Sequence, residues 1–142
     1  VMKSAFWGIM ISLIAISCQN QSNELNELKA EVLEVHDHTM ELRGKLMQTK
    51  KELESYRTAD SSSAMLDEAI GDLKAADEAM MNWMRNFESP DEQGGTDEEK
   101  MTYLEEEKQK MIHIKDQTEK SIEFAKEVAS KYRPQEPEAE QQ

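Results

Sequence analysis

The chain has 142 residues, 33% of them charged and only 6% aromatic, and carries a formal net charge of −13. That length suits one small domain, and the scarcity of aromatic and β-branched alternation argues against a sheet. So large an acidic surplus is repelled by nucleic-acid phosphates, and no basic face offsets it, which argues against a nucleic-acid partner.

The chain opens with a short stretch carrying Lys3, followed by an apolar run from Ala5 to Ile16 and the small residue Ser17 before Cys18. Residues 1–17 therefore read as a signal peptide. The apolar run falls short of the roughly 20 residues needed to cross a bilayer, and the polar run Gln19-Asn20-Gln21-Ser22-Asn23 ends it. The segment Ile14-Ala15-Ile16-Ser17-Cys18 resembles the lipobox of bacterial lipoproteins, with Ala15 where Leu is commoner. The resemblance implies that the Cys18 thiol receives diacylglycerol, that the leader is cut before it, and that the new amino terminus is acylated too. Several acyl chains make a stable anchor, at about 0.8 kcal/mol per buried methylene. The membrane is thus the first expected partner, through lipid on Cys18. By the same resemblance Gln19, in place of Asp, gives no inner-membrane retention signal, so the outer membrane is the expected location. Cys18 is the single cysteine, so no intramolecular disulfide can form and the fold must rest on packing.

Residues 18–23 are expected to form a lipidated tether, with Ser22 or Asn23 capping a first helix over about 24–57. Leu25, Leu28, Val32, Val35, Thr39, Leu42, Leu46, Thr49, Leu53 and Tyr56 recur at alternating spacings of three and four, the a/d seam of a coiled coil. A second stripe, Leu33, His36, Met40 and Met47, suits a helix that touches two neighbours. Gly44 falls on the outer side. The polar stretch Thr58 to Ser63 breaks the pattern. A second helix over about 64–88 follows, with Leu66, Ala69, Leu73, Ala76, Met80, Trp83 and Phe87 on its inner face and Ile70 and Met84 widening it. Asp77 occupies an inner slot, either as a buried residue that sets register or, the plainer reading, at the edge of the seam.

Ser89-Pro90-Asp91-Glu92-Gln93-Gly94-Gly95 must be a loop. Thr96 with Glu99 three positions on is a capping box for a third helix over about 97–132, and Asp97 and Glu98 place negative charge where the helix dipole favours it. Its inward positions include Met101, Leu104, Met111, Ile114, Thr118, Ile122, Ala125, Val128, Ala129 and Tyr132. Arg133-Pro134 stops it, and residues 133–142 form an acidic tail expected to be disordered. The fold class that follows is all-α: an elongated, antiparallel up-down-up three-helix bundle with coiled-coil-like packing, its first and third helices parallel. The alternative is a two-helix hairpin that completes its core as a homo-oligomer.

Three constellations invite a functional reading, and only those with histidine or methionine could carry chemistry. His36, His38 and Met40 lie close in sequence, and imidazole with a thioether suits copper, above all Cu(I); the plainer reading is Met filling irregular gaps in a core. Met80, Trp83, Met84 and Phe87 form an aromatic–methionine cluster that is either core or an apolar interaction site, such as a groove for a hydrophobic ligand or a partner helix. The run Glu105-Glu106-Glu107-Lys108 reads as a solvated face. No Gly-rich phosphate loop, His-Glu-x-x-His or Gly-x-Ser-x-Gly is present, so the expectation is a non-enzymatic protein without a cofactor.

Beyond the leader, Val35-His36-Asp37-His38-Thr39-Met40, Lys50-Lys51-Glu52-Leu53, and Asp77 through Glu88 with Trp83 at its centre resemble a family of small uncharacterised helical Gram-negative lipoproteins. Some of these carry the label "viral A-type inclusion protein", which reflects generic coiled-coil likeness. The resemblance implies no activity for particular residues. The functional expectation is a lipid-anchored envelope protein that serves as a protein-interaction or spacer module, its partner another envelope protein; the alternative is a periplasmic ligand-binding module.

Overall fold

The computed structural model describes residues 14–57 and 63–133. Most of the expected leader (residues 1–13), residues 58–62 of the first interhelical break and the acidic tail expected to be disordered (134–142) lie outside the described residues. Three helices account for nearly all of the rest: α1 (Ile14–Ser55), α2 (Ala64–Asn86) and α3 (Asp97–Tyr132). The described residues contain no strand.

Ion pairs between helices give the topology. Arg57 pairs with Asp67, Arg43 with Asp77, and Lys29 with Asp91 just beyond α2. Positions fall along α1 as they rise along α2, so the two run antiparallel. The pairs Glu31 with Lys108 and Glu52 with Arg133, and the contact of His38 with Glu119 between them, rise together, so α1 and α3 run parallel. This is an up-down-up three-helix bundle in which α1 packs most extensively on α3 and least on α2.

The seam of α1 buries Val32, Thr39, Leu46, Thr49 and Leu53. The two threonines are compatible with a core because each hydroxyl donates to the carbonyl one turn back, Thr39 to Val35 at 2.7 Å and Thr49 to Lys45 at 2.9 Å. Thr118 does the same toward Ile114 at 2.8 Å. Such back-bonding leaves the methyl group as the surface that packs.

Two features of α1 depart from the sequence expectation. The helix runs unbroken through Gln19 to Asn23, so neither Ser22 nor Asn23 caps it and residues 18–23 are helical, not a separate tether. An established helix gains a hydrogen bond for each residue added, whereas a new start requires a costly nucleus; polar side chains at exposed positions do not oppose that extension. The second stripe is also only half used. His36 meets Trp83 of α2 and Met40 packs on the loop-end core, while Leu33 and Met47 remain 38% and 40% exposed.

α2 ends two residues before its expected limit. Phe87 leaves helical dihedrals (φ −71°, ψ 125°), although its N–H still donates to Trp83 at 2.8 Å. The capping box of α3 forms as expected: Glu99 N–H donates to the Thr96 hydroxyl at 3.2 Å, and Thr96 N–H donates to the Glu99 carboxylate at 2.8 Å. Gly95 just before it has φ +102°, a conformation that only glycine adopts without strain.

The core divides into two clusters. One, at the end where α1 and α3 finish, joins Leu46, Leu53, Leu66, Ala69, Ile70, Leu73, Ala76, Ile122, Ala125, Val128 and Ala129. The other, at the end closed by the 87–96 loop, joins Val32, Met80, Trp83, Leu104, Met111 and Ile114.

Candidate functional site

Polar and aromatic chemistry concentrates at the loop end. Trp83 is 7% exposed and its ring meets two others: Phe87, with centroids 4.7 Å apart, and His36 from α1 at 5.6 Å. Phe87 in turn stacks on Tyr103 of α3 at 6.2 Å. This aromatic row forms because Phe87 turns out of the helix one turn after Trp83, beside the start of α3. The loop is tied over it: the Tyr103 hydroxyl accepts from Glu88 N–H at 2.9 Å, Gln93 donates to the Glu88 carbonyl at 3.1 Å, Asp91 pairs with Lys29, and Pro90 is fully buried.

Along the outer edge of this row, α2 and α3 enclose a groove of about 550 Å³ lined by Ala79, Asn82, Trp83, Asn86, Tyr103, Glu107, Lys110, His113 and Ile114. Glu107 is the unexpected member. It is 5% exposed, and its carboxylate accepts from Lys110 Nζ at 2.6 Å while the lysine side chain itself remains 58% exposed. That hydrogen bond, with the attraction behind it, holds the Lys110 ammonium above its ordinary pKa. The second unexpected feature is Trp83 Nε1, a buried donor with no acceptor among the described residues. Buried indole N–H groups ordinarily find a partner, and leaving one without costs about 1–3 kcal/mol.

The expected sites fare differently. Met80 is buried, Trp83 and Phe87 join the core of the loop end, and Met84 stays 39% exposed, so the aromatic–methionine cluster is core with one methionine left on the surface. His36 and Met40 share a face of α1 as expected, but His38 does not join them. Two residues along a helix turn the side chain to another side: the His36 ring lies on Trp83 with its Nδ1 2.9 Å from Asp37, whereas His38 Nε2 faces Glu119 of α3 at 3.8 Å. The three candidate metal ligands therefore do not converge, and no group of three His, Cys, Asp or Glu side chains among the described residues could hold a metal ion. Cys18 falls within α1, and the turn that follows it, Asn20 to Glu24, is fully on the surface. Asp77 sits at the seam edge, accepting from Arg43 Nε at 2.6 Å, a contact that holds the guanidinium above its ordinary pKa.

Reading Glu105 to Lys108 as a uniformly solvated face was wrong for Glu107. Glu105 and Glu106 are exposed, Lys108 is half-buried and pairs with Glu31, and Glu107 turns inward. The signal was present: Leu104, Glu107, Met111 and Ile114 are spaced three, four and three, so Glu107 fills a seam slot that the apolar pattern leaves vacant. Tyr103 carried no such signal, since its role depends on the loop after α2, where it accepts from Glu88 N–H; Lys110 lies one turn from Glu107 on the same helix.

No helix among the described residues is long and apolar enough to cross a membrane. Comparison with family models, with curated proteins and with solved structures finds no match to this chain.

Proposed function

We propose that this protein is a lipid-anchored envelope protein, acylated at Cys18, whose helical body acts as a spacer and docks another envelope protein. The observation that carries the reading is the continuity of α1. One helix runs from the packed seam, which Leu25 joins, back through exposed Asn20–Glu24 to the single cysteine. Seven residues at 1.5 Å each set the anchored residue about 10 Å before the first packed one. A helical stem of that length holds the bundle clear of a lipid surface, which a net charge of −13 would in any case repel. The destination that fits Gln19 is the outer membrane.

The docking surface in this reading is the sparsely packed edge between α1 and α2, where Leu33, Met47 and Met84 are exposed. Flexible thioethers suit such a surface because they repack around different partners. Mass spectrometry of the protein purified from bacterial membranes tests the anchor: the mature chain should begin at residue 18 with acyl chains attached, and Cys18→Ser should leave it uncleaved or soluble. A retained leader or a free thiol at Cys18 overturns the proposal. Cross-linking from benzophenone placed at residue 33 or 84 should capture a defined envelope protein, and loss of that product in Leu33→Asp would locate the partner on this edge.

A further inference from the structure

The methionines span both extremes of burial. Met80 and Met111 are sealed in the loop-end core, 2% and 0% exposed, whereas Met47, Met65 and Met84 stand 40%, 38% and 39% exposed. Met40, Met81 and Met101 lie between. We infer that the three surface thioethers are oxygen-acceptor sites, converted reversibly to methionine sulfoxide by hydrogen peroxide while the bundle stays folded. The sites are independent of any lipid on Cys18 and of what the α1–α2 edge docks.

Packing does not call for methionine at these positions. Leu and Met have nearly equal helix propensity, and the gap-filling that favours Met in a core has no part on a surface. Yet of the four large apolar side chains exposed among the described residues, Leu33 alone is not methionine. What a thioether adds is a sulfur lone pair. That lone pair attacks one oxygen of hydrogen peroxide, and the S–O bond forms as the O–O bond breaks. The proton on the transferred oxygen goes to the departing hydroxide, so sulfur is oxidised by two electrons and the peroxide is reduced to water. The charge of −13 favours such a neutral oxidant over an anionic one. At the surface the new S–O dipole faces water. At Met65 it also meets the Lys131 ammonium, which already donates to the sulfur at 3.5 Å, and oxygen is a better acceptor than a thioether. In the core beside Val32, Trp83 and Leu104 the same dipole would be buried without a partner, a cost the fold opposes.

Hydrogen peroxide added to the purified full chain, followed by peptide mass spectrometry, reads oxygen uptake at each methionine separately. Met47, Met65 and Met84 should react faster than Met80 and Met111 by about tenfold or more, because a core thioether reacts only when the bundle opens. Met84 and Met80 make the sharpest comparison, one turn apart on α2. In denaturant that difference should vanish. The chain carrying oxygen at the three sites should keep its helical circular dichroism and melt in one cooperative transition. Methionine sulfoxide reductases for the two epimers should then remove the oxygen from the folded chain. Equal rates at Met80 and Met84 in the folded chain overturn the inference, as does a difference that persists in denaturant. Loss of the helical signal as the three sites are oxidised, or sulfoxides that the reductases cannot remove, overturns it too.

Discussion

The two ends of the bundle solve the same packing problem with different side chains. Where α1 and α3 finish, the core is Leu, Ile, Val and Ala, and the neighbouring polar groups are matched. Tyr56 stacks on Tyr132 at 6.1 Å and its hydroxyl donates to Glu52 at 3.1 Å, while Arg133 closes on the same carboxylate at 2.7 Å. At the loop end the core is Val32, Met80, Trp83, Leu104, Met111 and Ile114, with an imidazole on the indole, a buried carboxylate and an unmatched N–H. Alanines let the helices at the first end approach closely and leave nothing to reorganise. Methionine and aromatic rings fill the second, and the α2–α3 groove runs beside Trp83. One end is scaffold; the other keeps polar groups that stability alone does not explain.

Substitutions can break or sharpen this contrast. The largest effect is expected at the scaffold end, where Leu73 is fully buried: Leu73→Ala should cost about 2–5 kcal/mol in denaturant unfolding. Met80→Ala should fall at the low end of that range, because flexible neighbours beside an open groove collapse into the space more readily. Equal losses at the two sites would erase the distinction. Glu107→Leu should instead stabilise the protein by roughly 1–2 kcal/mol, since an apolar side chain avoids the cost of burying the carboxylate. A loss on that substitution would make Glu107 a stabilising residue.

Gly44→Ala tests the exposed side of α1, where a Cβ would meet nothing within 4 Å. It should raise stability by about 1 kcal/mol, read as a higher Tm. The smallest effect concerns pH. Arg133, by its hydrogen bond, holds the Glu52 carboxyl below its ordinary range. A lowered carboxyl pKa stabilises the fold at neutral pH, and that contribution is lost as pH falls through the lowered folded-state value. Glu52→Gln should therefore lose less stability than the parent chain as the solution is acidified through the carboxylate range, by a small margin for so exposed a pair. An identical pH profile would show that the pair contributes nothing.

Much of the fold could be read from residue spacing. The three helices, the loop Ser89 to Gly95, the capping box at Thr96 and Glu99, and the edge position of Asp77 all follow from local pattern. The start of α1 did not, because Ser22 and Asn23 carry cap chemistry whether or not a helix already runs through them. The candidate site was half visible. Trp83 and Phe87 declared themselves by size and spacing, and Glu107 was hidden in an acidic run whose members differ only by 100° of helix rotation each.

Period and composition thus settled that the chain is helical, how many helices it has and which stripe of each faces inward, because those are properties of single segments. Which polar groups ended up buried together was set by assembly. Glu107 and Lys110 belong to α3, Trp83 to α2 and His36 to α1, and their meeting depends on the height at which the antiparallel and parallel pairs come to rest. That height is a sum over many weak contacts along the seam, and no short stretch of residues encodes it.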